Sequence, residues 1–146
     1  MIEPGAYRYP RMDRVVFGRP WEQALAEEVG RLDRKKVFAI AGRTLAETVP
    51  IESAMRAALG ERLAGFTTGI RAHTPRDDVI AVAAKARAAH ADLIVTIGGG
   101  SVTDAGKMVL LCLAADAKEP QARQSPGRLR LEPAAVGHGL RSVTPQ

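Results

Sequence analysis

The sequence predicts an α/β protein: a parallel sheet covered by helices on both faces, followed by an irregular C-terminal tail. Two continuous apolar runs, VFAIA at Val37–Ala41 and LIVTI at Leu93–Ile97, have strand length and no polar alternation. That is the pattern of strands buried on both faces. Helical patterns flank each run, and a strand, helix, strand, helix order argues parallel pairing. Aromatic residues make up only 4% of the chain and alanine supplies much of its apolar content, which disfavours an all-β fold. The 146 residues are enough for one domain with a real core.

Each element has a local reason. The opening, Met1 to Arg14, is polar and carries Pro4, Gly5 and Pro10, so it reads as extended or loosely held. Val15-Val16-Phe17 is a short β-type run ended by Gly18. Pro20 opens a helix with Trp21, Leu25, Val29 and Leu32 at near-helical spacing. Gly42 stops the first buried strand. Ile51 to Leu59 reads as a helix stopped by Gly60, and Phe66 to Ile70 as a weaker strand. Thr74 is placed to cap the next helix, with Pro75 at its first position and Asp77 at its positive end. That helix runs to about Ala89, and Asp92 leads into the second buried strand. A further helix is expected from Ser101 to about Ala115. After Asp116 the composition turns to Pro, Arg, Gly and Ala, with neither period sustained, and reads as coil with at most a short helix near Leu129 to Ala135.

Charge and cysteine content exclude several roles. The formal charge is +5 with a pI near 9.9, but the arginines are scattered among acids. There is no basic run of five or more and no aromatic-interleaved basic stripe, so nucleic acid is not the expected partner. Cys112 is the only cysteine, lies in the apolar run VLLCLA, and reads as a buried, inert thiol. His73, His90 and His138 are too few and too scattered for a metal site. No apolar run approaches the length of a membrane span and no signal segment is evident, so a cytoplasmic location is expected, without a membrane partner.

The chemistry concentrates in TIGGGSVTDAGKM, Thr96 to Met108. A buried strand ends at Ile97, three glycines allow close backbone approach, and a helix begins with its free N–H groups facing the loop. That is the geometry of a phosphate site at the carboxyl end of a strand. The P-loop pattern fails, because the glycine expected five residues before Gly106 is Ser101, and Met108 follows Lys107. The dinucleotide fingerprint Gly98-x-Gly100 lacks its third glycine, where Thr103 stands. The remaining alternative is a tight turn built only for packing.

The longer spacing Gly-Gly-Gly-Ser-x-x-Asp-x-x-Lys resembles the signature of the iron-containing alcohol dehydrogenase family, within the dehydroquinate synthase-like superfamily. VVFGRPWEQALAEEVGRL, KKVFAIAGRTL and AHTPRDDVIAVAAKARAAHADLIVTIGGGSVTDAGK resemble that family's opening segments, over about residues 15 to 115. The HTP and GGGSVTD wording leans towards its maleylacetate reductase-like branch. The resemblance implies a Rossmann-like NAD(P)-binding domain over residues 1–115. It implies NAD or NADP as cofactor, with Gly98, Gly99, Gly100 and Ser101 cradling the pyrophosphate. Asp104 would anchor the loop or meet the nicotinamide-side ribose, and Lys107 would add positive charge. Read locally, those two are an ordinary i, i+3 helix pair.

Gly42 and Arg43 depart from the family pattern. Many relatives carry an aspartate after this strand, which accepts from the adenosine ribose and repels a 2′-phosphate. AIAGRT has no acid there, and Arg43 can pair with a phosphate instead, so NADP use is one expectation and a ligand-free surface arginine the other. The resemblance also implies hydride transfer between an alcohol and a carbonyl in a small-molecule substrate, with homo-oligomerisation left open. It implies a divalent metal, iron or zinc, held by an aspartate and three histidines of a second, helical domain. No such ligands, and no catalytic residue of that domain, are recognised in this chain. Residues 116–146 are therefore expected to be a frameshifted or truncated end, and a non-catalytic nucleotide-binding fragment or module is the alternative function.

Overall fold

A computed structural model describes residues 13–115 and 141–143. Among them the elements run α1 (Trp21–Arg31), β1 (Val37–Ala41), α2 (Arg43–Thr48), α3 (Ile51–Leu59), β2 (Leu63–Thr67), α4 (Arg76–Ala88), β3 (Leu93–Ile97), α5 (Gly100–Ala114) and β4 (Arg141–Val143). The strands form one parallel sheet in the order β2-β1-β3-β4. The α/β, Rossmann-like expectation therefore holds.

Side-chain alternation on the central strands divides the core in two. Val37, Ala39 and Ala41 of β1 and Leu93, Val95 and Ile97 of β3 pack with Leu25 and Val29 of α1 and with Ile51, Met55 and Leu59 of α3. Phe38 and Ile40 of β1 and Ile94 of β3 pack with Val79, Val82, Ala83 and Ala86 of α4 and Val109 of α5. Both central strands are buried along their whole length. Trp21 is half-buried against the first cluster, and Cys112 half-buried against the second.

β1 pairs with β3 residue for residue, Val37 opposite Leu93 through Ala41 opposite Ile97. Asp92 locks this register, its carboxylate accepting from the amides of Lys35 and Lys36 at 2.9 and 3.0 Å. β1 leads to β2 on one side, and the chain then returns past β1 to β3 on the other. The C-terminal ends of β1 and β3 therefore meet at the point where the strand order reverses, the place in such sheets where ligands bind.

Several expectations need correction. Val15-Val16-Phe17 forms no strand, and Phe17 is 87% exposed; among the described residues no strand lies beside it to satisfy its backbone. β2 starts at Leu63 instead of Phe66, because Leu63 is buried opposite Val37 and Gly65 lies against the Phe38 ring. Thr74 makes no cap: it has φ 50°, and Pro75 occupies the cap position without a side-chain bond. α2, a six-residue helix after Gly42, was not foreseen. Arg141–Val143, inside the stretch read as coil, pair in parallel with Leu93–Val95. The short helix considered near Leu129 to Ala135 lies outside the described residues.

Candidate functional site

The turns after β1 and β3 are joined. The Gly42 amide donates to the Ile97 carbonyl at 3.0 Å, and Val102 of α5 packs between the two turns. Around this junction lies a hollow of about 310 Å³ lined by Gly42, Arg43, Gly98, Gly99, Gly100 and Ser101, among others. All of these are residues singled out in the sequence.

The glycines have different reasons to be glycine. Gly98 has φ 144°, and a Cβ there would lie 3.1 Å from the Val102 Cγ2 atom and 3.5 Å from the Gly42 nitrogen. Its backbone and its neighbours both exclude a side chain. At Gly42 a Cβ would come within 3.3 Å of the same Val102 methyl. At Gly99 and Gly100 a Cβ would meet nothing within 4 Å, and neither has a positive φ. Protein packing does not require glycine at either position, and the backbone there is open to close approach.

α5 begins at Gly100 with no side-chain cap and no acidic residue in its first turn. The Gly99 carbonyl accepts from the amides of Val102 and Thr103 at 3.1 and 3.2 Å. The earlier amides, together with the positive end of the helix dipole, face the hollow. The exposed Ser101 also lines it, with a hydroxyl able to donate to an anion. Backbone donors, one hydroxyl, the Arg43 guanidinium and open space above two glycines fit a diphosphate.

The third glycine of the dinucleotide fingerprint has a counterpart that sequence reading missed. Gly106 is buried on α5, and a Cβ there would lie 2.4 Å from the Cγ2 atom of Thr96 on β3. It permits the close helix–strand packing that the fingerprint assigns to its third glycine. Gly106 sits one helical turn beyond Thr103, so the same face reaches the sheet one turn later. The isolated glycine inside a helical pattern was the available signal.

Asp104 and Lys107 do not line the hollow. They face solvent on α5 and pair with each other at 3.2 Å, their side chains 69% and 65% exposed.

A second hollow, of about 850 Å³, adjoins the first through Arg43 and reaches along α2 and α3 to the end of β2. The segment between β2 and α4 is fixed by Arg71 and Asp78. The guanidinium donates to both carboxylate oxygens at 2.8 and 2.9 Å, and the Arg71 amide adds a third bond of 2.9 Å. These bonds, with a smaller attraction from Arg43, hold the Asp78 carboxyl at about 2, and the same pairing raises the Arg71 pKa. His73 and Thr74, between them, both take positive φ.

Among the described residues, no group of three or more His, Cys, Asp or Glu side chains is arranged to hold a metal ion. No helix there is long and apolar enough to cross a membrane.

A parallel sheet with a glycine turn and an uncapped helix at its switch point defines a Rossmann-like α/β domain. The family model for iron-containing alcohol dehydrogenases matches residues 12–136, beyond the end of α5. The chain is 35% identical over 101 residues to a dehydrogenase of Gibberella moniliformis, covering 68% of this chain and 24% of that one. It is 33% identical over 105 residues to maleylacetate reductase 1 of Cupriavidus pinatubonensis, covering 68% of this chain and 27% of the relative. The crystal structure of the maleylacetate reductase from Rhizobium sp. superposes with a TM-score of 0.62 at 31% identity, over 75% of this chain and 30% of that one. The chain belongs to the iron-containing alcohol dehydrogenase family, a family of oxidoreductases, on its maleylacetate reductase-like branch. It spans about a quarter of the length of the curated relatives it matches.

Proposed function

We propose that this chain binds NAD or NADP at the junction of the β1 and β3 turns and serves hydride transfer between an alcohol and a carbonyl. The observation that carries this is the freedom at Gly99 and Gly100, glycines the fold does not need, over an uncapped helix start. Gly98, Gly99, Gly100 and Ser101 would hold the pyrophosphate through backbone N–H groups and one hydroxyl. Gly42 lets the adenosine-side ribose approach the end of β1, and Arg43 supplies the positive charge beside it. Asp104 and Lys107, outside the hollow, would meet the cofactor only if its nicotinamide side extends over the start of α5. When bound, the nicotinamide supplies the hydride donor or acceptor. The chain's own residues bind and orient it.

The substrate class that fits the relatives' names is a small carbonyl compound such as maleylacetate. A divalent metal would act on its oxygen as a Lewis acid. The described residues bring together no ligand set for that ion, so no step is assigned to it here. The test is a fluorescence titration of the full chain with NADH and NADPH, followed by turnover assays with maleylacetate and small aldehydes, with and without zinc or iron. Saturable binding with turnover supports the whole reading. Binding without turnover marks a nucleotide-binding module, and no binding overturns both.

A further inference from the structure

The second hollow continues the line of the first. Along β3, β1 and β2, the strand ends carry in turn the glycine turn, the Gly42-Arg43 turn and Phe66-Thr67-Thr68. Neighbouring strands are about 4.8 Å apart, so this row of three turns spans about 10 Å. The volume of about 850 Å³ lies within the roughly 300–1,000 Å³ of small-molecule sites.

Charge decides what part of a ligand suits it. Arg43 lines both hollows, and Arg56 of α3 lines the second. The Arg56 Nη2 donates to Glu52 Oε1 at 2.8 Å, one turn back on the same helix. Among the described residues that is its one side-chain contact, so the rest of the guanidinium fork suits two phosphate oxygens. Glu52 lines the hollow too, and this exposed pair offsets part of the charge of both residues. Glu47 also lines the hollow, and as a carboxylate it is the rival feature, able to accept from an unphosphorylated ribose.

We propose that the second hollow receives the adenosine end of the dinucleotide and that Arg56, together with Arg43, grips a ribose 2′-phosphate, so that the chain selects NADP(H) over NAD(H). This rests on the cofactor reading above and adds a specificity-determining residue outside the glycine turn. Arg56 stands at an exposed position of α3, while Ile51, Met55 and Leu59 face the core. Replacing it therefore leaves the packing intact.

The experiment titrates wild type, Arg56→Gln, Arg56→Lys, Glu47→Gln and the double variant Glu52→Gln/Arg56→Gln with NADPH, NADH and adenosine 2′,5′-bisphosphate. Wild type should bind NADPH more tightly than NADH. Arg56→Gln should weaken NADPH and the bisphosphate about tenfold or more, from the loss of a charge-assisted phosphate contact, and leave NADH within about twofold. Arg56→Lys should recover part of the loss, and Glu47→Gln should leave the preference standing. Recovery of NADPH affinity in the double variant would mean that Arg56 only masks Glu52, and would overturn the proposal. Equal losses for NADH and NADPH, or no change for either, would overturn it while leaving the glycine-turn reading in place. Failure of wild type to bind either nucleotide would instead remove the reading on which it rests.

Discussion

Gly98 and Gly106 face inward, and Gly99 and Gly100 face outward, within the same short stretch of chain. The inward pair is fixed by the fold: one by its backbone angle and Val102, the other by the Thr96 methyl. A Cβ on either outward glycine would meet nothing within 4 Å. A run of three glycines thus combines two requirements, a sharp turn and an open approach, and only the second concerns a ligand. Substitutions in the two pairs should therefore separate stability from binding.

The largest effect is expected at Gly106→Val. Its branched side chain would force α5 away from β3, and overpacking of this kind costs ~1–3 kcal/mol or more. Thermal denaturation should show a clear fall in Tm, and an unchanged Tm would mean that the helix has room at Thr96. Gly98→Ala comes next, because a side chain at φ 144° is strained and such strain costs on the order of 1–3 kcal/mol. It should weaken stability and binding together.

A smaller, pH-dependent effect is expected at Asp78→Asn. Folding lowers this carboxyl from 3.8 to about 2. The stabilisation it brings is therefore complete above pH 3.8 and is lost as pH falls through about 2. The asparagine variant should be less stable than wild type at neutral pH, and the difference should shrink across that acidic window. A constant difference in acid-unfolding curves would show that the Arg71–Asp78 pair is not its source.

What the sequence revealed follows the same division. β1 and β3 were legible to the residue, because five-residue apolar runs bounded by glycine or aspartate leave one reading. The glycine turn and its strand-end position were legible for the same reason. β2 was displaced because Gly65 and Gly69 interrupt its hydrophobic pattern, and its true position is set by Phe38 and Val37 across the sheet. Val15-Val16-Phe17 has strand-forming residues but, among the described residues, no partner strand. α2 was invisible because RTLAET has neither a cap nor an apolar face with a buried residue. The fingerprint spacing points to Thr103 and not to Gly106, because contact with Thr96 depends on where α5 meets the sheet. The second hollow depends on elements far apart in sequence, α2, α3 and the end of β2, which no local pattern brings together.

Whether the outward glycines serve a dinucleotide is decided by titrating wild type and Gly99→Ala with NADH and NADPH while recording the Tm of both proteins. Wild type should bind saturably, with Gly99→Ala weakened about tenfold, or ~1.4 kcal/mol, and a Tm that stays with wild type. Equal affinity in the two proteins, or loss of binding accompanied by loss of folding, would contradict that role.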